Sequence, residues 1–117
     1  MDNTDSGTTD DQSLFDYTPP NRKILILFFR TDCEFCSEAM SLCDEVTLVK
    51  IVHYQVFQSR IEGKVEIRPF GQRLEGLPLL VDEHEIPEVP CLLDPVLGQM
   101  VLGVAGIEKY LEDVGLV

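Results

Sequence analysis

Residues 28 to 40 read FFRTDCEFCSEAM, and in that stretch Cys33 and Cys36 stand three apart where an apolar run gives way to polar, helix-forming residues. The run that leads into them, RKILILFFR from 22 to 30, is apolar and β-branched or aromatic between charged ends. That pattern predicts a central strand buried on both faces of a sheet. Beyond the pair, Cys36, Ala39, Met40, Cys43 and Val46 recur at helical spacing, with Glu34, Ser37, Glu38, Ser41, Asp44 and Glu45 on the other face. Thr31 and Asp32 are good N-cap types, so the helix is expected to begin with them. LVKIVHYQVF, 48 to 57, returns to strand-forming residues. A strand, helix, strand order of this size implies a right-handed parallel crossover.

The chain is 117 residues long, enough for one domain and short for two. Hydrophobic residues make up 44% and charged ones 26%, a globular composition. Twenty-one acids against nine bases leave a net charge of −12, a field that repels phosphate backbones and anionic membrane faces. Neither a nucleic acid nor a membrane is expected as partner. No segment has the apolar length of a membrane span, and MDNTDSGTTDDQSLFDY lacks the basic start and apolar stretch of a signal peptide, so the expected location is cytoplasmic. There, the four cysteines (33, 36, 43, 91) are expected to be reactive, metal-binding or buried rather than structural disulfides.

Residues 1 to 20 are rich in Asp, Ser, Thr and Gly and end in Pro19-Pro20, a composition expected to form a disordered acidic tail ahead of a domain over 21 to 117. LFDY at 14 to 17 is its one apolar patch, able to dock on a partner or on the protein's own surface. Residues 58 to 88 sustain neither period; a short helix near 70 to 77 is expected, and IEGKVEI and RLEGLPLLVDEHE read as solvated loop faces. From 91 onward, CLLD, PVLGQ and MVLGV read as strand, turn and strand, a β-hairpin with Pro95 and Gly98 in its turn. Ile107, Tyr110, Leu111 and Val114 then keep helical spacing, and Gly115 is placed to end that helix.

Two cysteines spaced this way at a helix start have definite chemistry. The first thiol lies beside unpaired backbone N–H groups and the positive end of the helix dipole, which favour its thiolate. Cys33 is thus the candidate nucleophile, and Cys36, one turn further in on the same side, the candidate resolving thiol. Asp32, Glu34 and Glu38 act against the thiolate while the helix start and Arg30 favour it, so the pair is not expected among strong oxidants. A metal site would need four converging ligands. Cys36 and Cys43 are about 10 Å apart along a helix and cannot share one ion, and there is no second such pair, so no metal is expected. Cys43 is expected in the core, and Cys91 either packs in its strand or joins the redox chemistry.

An apolar strand, a C-x-x-C pair opening a helix, a hairpin introduced by Val89-Pro90 and a closing amphipathic helix together resemble the thioredoxin/glutaredoxin superfamily over residues 22 to 117, apart from 58 to 88. The resemblance implies an α/β fold: a single thioredoxin-like domain with a mixed central sheet flanked by helices. It implies that Pro90 is a cis-proline facing the cysteine pair, that Val89 offers backbone hydrogen bonds to a substrate, and that Glu34 and Phe35, between the cysteines, border the binding surface. Arg30, three before Cys33, is similar to the basic residue by which glutaredoxins meet a glutathione carboxylate. The chain departs from thioredoxins in having no Trp, in Glu34-Phe35 where they carry Gly-Pro, and in Ile26 where they bury an Asp. It departs from glutaredoxins in Gly103-Val104-Ala105-Gly106, which does not reproduce their Gly-Gly-acidic signature. The implied activity is thiol–disulfide exchange at Cys33 and Cys36 on protein or glutathione-mixed disulfides. No resident cofactor is implied; glutathione is an optional co-substrate, and protein disulfides or a reductase are the partners. A non-catalytic interaction module on the same scaffold is the alternative.

Overall fold

The computed structural model describes Leu14 and residues 23–116. Six strands form one mixed sheet: β1 (Ile24–Phe29), β2 (Lys50–Gln58), β3 (Lys64–Pro69), β4 (Leu80–Asp82), β5 (Cys91–Asp94) and β6 (Gln99–Leu102). Their spatial order is β4-β3-β2-β1-β5-β6. Among the described residues two α-helices, α1 (Glu34–Asp44) and α2 (Gly103–Asp113), and a short 3-10 helix over Glu83–Glu85 complete a small α/β fold. No helix among the described residues is long and apolar enough to cross a membrane.

β1 explains the centre. It pairs in parallel with β2, Phe28 opposite Tyr54, and antiparallel with β5, Phe28 opposite Cys91. All six of its residues are buried, so its side chains feed two cores at once. Ile24, Ile26 and Phe28 join Val52, Tyr54, Val56, Ile67 and Leu93 on one face. Leu25 and Leu27 meet Ala39 and Cys43 of α1 and Ile107, Tyr110 and Leu111 of α2 on the other. Burying each such Leu, Ile or Phe stabilises the fold by roughly 1.5–3 kcal/mol.

The helices therefore lie on one face, whereas helices flanking the sheet were expected. On the opposite face Leu74 and Leu77 enter the core from a turning segment and Ile86 from the end of the 3-10 helix over Glu83–Glu85, and Leu14 joins them. Leu14 is fully buried and its backbone N–H donates to Glu85 Oε1 at 2.8 Å. At that one position the expected disordered tail is instead part of the core, because an apolar side chain fills the face turned away from α1 and α2. The rest of 1 to 20, including the other residues of LFDY, lies outside the described residues.

Three further expectations are corrected. No helix spans 70 to 77: Leu74 and Leu77 are buried three apart, as on a helix, but Gly71 and Gly76 take positive φ (104° and 88°) and the backbone turns instead. The Leu74 N–H donates to Tyr54 Oη at 2.8 Å, which satisfies a buried donor without helical bonding. IEGKVEI is not a solvated loop, since Lys64–Pro69 forms β3, with Val65 and Ile67 inward and Arg68 laid over the Phe57 ring at 4.2 Å. Leu80–Asp82, inside the second supposed loop, is edge strand β4. The hairpin β5–β6 is present with Cys91 opposite Leu102, and α2 begins four residues before Ile107, at Gly103.

Asp94, 2% exposed, joins the hairpin to α2. It accepts from the N–H groups of Val96 (3.0 Å) and Leu97 (3.2 Å) and from Tyr110 Oη (3.2 Å), and pairs with Lys23 Nζ at 3.2 Å. Asp94→Ala removes the acceptor shared by these four groups and is expected to destabilise the fold by roughly 2 kcal/mol in urea titration, with Tyr110→Phe costing about 1 kcal/mol. Equal, negligible shifts in both would contradict the network.

His53, half-buried on β2, packs edge-on to Phe29 with ring centroids 6.4 Å apart. Its Nε2 has no hydrogen-bond partner among the described residues. Burial lowers the pKa of its imidazole from the usual 6.5, opposed by the charge of Asp44. As pH falls below about 6.5 the unfolded chain takes up the proton first, so stability is full above that value and declines as pH drops toward the folded one. The thermal midpoint is expected to fall between about pH 7.5 and pH 5.5, and to fall less in His53→Phe. Identical profiles for the two proteins would contradict it.

Candidate functional site

The expected N-cap residues Thr31 and Asp32 form a turn, and the cap is Cys33 itself. Its backbone is extended (φ −120°, ψ 114°), and its sulfur accepts the Cys36 N–H at 3.2 Å. Sulfur thus serves where a Ser or Asp oxygen usually satisfies the first orphan amides of a helix. The Cys33 carbonyl accepts the same N–H at 3.2 Å. Two consequences follow: the Cys33 sulfur is fixed at the positive end of α1, and it is held beside the first turn that carries Cys36.

The Cys36 side chain is 1% exposed and reaches back to the end of β1, where its sulfur accepts the Arg30 N–H at 3.4 Å. Burial pushes the Cys36 thiol well above its ordinary pKa, and a hydrogen bond with the Cys33 side chain acts in the same direction; the Arg30 amide opposes both. Cys36 is therefore a protonated, sheltered thiol in touch with a half-exposed one.

Facing the pair is the segment ahead of β5. The Val89–Pro90 peptide is cis, and the Cys33 thiol donates to the Val89 carbonyl at 3.9 Å. Pro90 is buried and Val89 half-buried. The Pro90 carbonyl accepts the N–H of Gly103 at 2.9 Å, and Gly103 takes φ +77°, which a side chain would strain. That bond ties the segment facing the thiols to the start of α2.

Two grooves meet at Val89. One, of about 520 Å³, is floored by Phe35, Val89, Pro90, Leu102 and Val104. Glu38, Glu88 and Glu108 edge it. The other, of about 480 Å³, runs past Arg30, Val56, Glu83, His84 and Ile86. The expected site residues Cys33, Cys36, Phe35, Val89 and Pro90 are thus brought together. Arg30 borders the second groove, and Glu34 is exposed on the first turn of α1. Cys91 is fully buried in β5, its thiol raised first by burial and then by the charge of Glu88. Cys43 is buried in the core between sheet and helices, and burial pushes its thiol up to about 12. Among the described residues no three His, Cys, Asp or Glu side chains converge as metal ligands.

The lining acids Glu88 and Glu108 and the apolar Leu102 and Val104 were not anticipated. Each is ordinary in sequence, and they meet only because β6 runs beside β5 into α2. The one local signal was Glu88 immediately before Val89-Pro90. Comparison with models of protein families, with curated proteins and with solved structures gave no match to this chain.

Only one of the four thiols is open to solvent, since Cys36, Cys43 and Cys91 are at most 4% exposed. Iodoacetamide on the folded, reduced protein is expected to alkylate Cys33 at least about tenfold faster than the others, with all four reacting in denaturant. Peptide mapping that finds Cys43 or Cys91 labelled as fast as Cys33 would contradict the geometry.

Proposed function

We propose that the chain is a thioredoxin-like thiol–disulfide oxidoreductase whose working groups are Cys33 and Cys36. The observation that carries this reading is the contact between the sulfur capping α1 and the cysteine one turn on, the first half-exposed and the second buried. The finer fold reading is supported by the parallel β1–α1–β2 unit, the antiparallel β5–β6 hairpin, the closing helix α2 and the cis peptide opposite the thiols.

The Cys33 thiolate attacks one sulfur of a substrate disulfide. That bond breaks, its other sulfur leaves as a thiolate that takes up a proton, and Cys33 is held in a mixed disulfide. Cys36 then loses its proton and attacks the Cys33 sulfur. The second substrate sulfur departs and is protonated, leaving a Cys33–Cys36 disulfide. Two electrons have passed to the substrate, and a dithiol reductant must return them. The reverse sequence oxidises a partner, and the potential against the compartment sets the direction. Protein disulfides are the substrates in this reading, with glutathione an optional co-substrate whose carboxylate Arg30 would meet, and the setting is cytoplasmic.

The strand that leads to the thiols favours the second reading, a non-catalytic interaction module: Ile24–Phe29 is wholly apolar and buried, with no Asp to accept the Cys36 proton. One assay separates the two. Cys33→Ser is expected to abolish reduction of a protein disulfide by the full chain, and Cys36→Ser to accumulate a mixed disulfide through Cys33, visible in the intact mass. A wild type that reduces nothing, or a Cys33→Ser variant as active as wild type, would overturn the catalytic reading.

A further inference from the structure

The groove beside Cys33 combines two properties that together specify an occupant. Its floor is apolar and partly open: Phe35 is 60% exposed and Leu102 40% exposed. Large apolar side chains left in water at the mouth of a groove gain free energy when another apolar group covers them. Its edge is anionic. Glu38, Glu88 and Glu108 belong to the lining, which holds no Lys or Arg, and among the described residues none of the three is in an ion pair. Glu88 Oε2 would lie 3.4 Å from a Cβ at Gly103, which sets that carboxylate over the start of α2. On the other side of the thiol, Asp32 and Glu34 are exposed, and the whole chain carries −12.

An occupant that covers the floor must also come within reach of these carboxylates. A neutral or acidic segment would desolvate or repel them with nothing in return, whereas a Lys or Arg offers each a partner it lacks. The same field raises the local concentration of cations and their rate of encounter.

We propose that this groove selects disulfide-bearing polypeptide segments in which an apolar residue is flanked by Lys or Arg; the inference rests on the oxidoreductase reading for its chemistry, but not for its docking. The apolar side chain lies over Phe35 and Leu102. The flanking cations meet Glu88 and Glu108, and the segment's disulfide is carried to Cys33 past the Val89 carbonyl. The charge selectivity resides in Glu88 and in Glu108 of α2, both remote in sequence from the cysteines.

The test uses the full reduced chain and two synthetic peptides of equal length, each closed by one disulfide with a Leu beside it, one flanked by Lys and the other by Glu. Reduction of the Lys peptide is expected to be at least about tenfold faster in low salt, with the ratio shrinking in roughly 0.5 M NaCl. The Glu88→Gln/Glu108→Gln double variant should cut the ratio to about threefold or less. Fluorescence anisotropy on the same peptides with Ser in place of Cys reads docking without exchange and should rank them alike. Equal rates for the two peptides, or a preference that neither salt nor the double variant moves, overturns the proposal while leaving the oxidoreductase reading intact. Preferential binding of the Lys peptide with no reduction of either leaves the docking proposal standing and removes the chemistry. Neither binding nor reduction overturns both.

Discussion

The arrangement depends on a sulfur doing the work of a cap. An α-helix that starts after a short turn from a buried strand leaves amides that need acceptors, and here the Cys33 side chain supplies one at 3.2 Å. Because the capping atom is the thiol sulfur itself, satisfying the helix and presenting the thiol are a single geometric act. Because α1 is pinned through Ala39 and Cys43 to the helix-side core, the cap cannot shift without moving that core. Cys36 is held from both sides by the same device, its amide on Cys33 and its sulfur on the Arg30 amide.

The two sheet faces divide the labour. The helix-covered face fixes α1 and α2 relative to β1 and β5, which sets the distance between thiols and groove. Among the described residues the other face is sealed by loop segments and by Leu14 rather than by an α-helix. Its cover therefore relies on single anchors, such as the Tyr54 hydroxyl taking the Leu74 amide.

What could be read in the sequence follows from how strongly each segment is patterned. β1 was legible because both of its faces are buried, and α1 and α2 because their apolar residues keep a helical period. The start of α1 was misassigned by one or two residues because Thr31 and Asp32 are better oxygen caps than Cys33 is a sulfur cap. β3 was illegible because its outward Lys64, Glu66 and Arg68 lie on the stretch of sheet that the helices do not reach, so half the strand looks like a loop. Leu74 and Leu77 imitated a helix that Gly71 and Gly76 prevent. For the site, spacing alone pointed to Cys33 and Cys36, and the resemblance pointed to Pro90. The groove was hidden because it is made by the β6–α2 junction, whose residues acquire meaning only beside Val89.

The most direct measurement is to equilibrate the full chain in thiol–disulfide buffers of graded potential, quench in acid, and map by alkylation under denaturing conditions which cysteines have become protected. The expected result is reversible protection of Cys33 and Cys36 as a pair, complete within one transition, while Cys43 and Cys91 stay alkylatable throughout. Four alkylatable thiols at every potential, or protection that pairs Cys91 in place of Cys33, would contradict it.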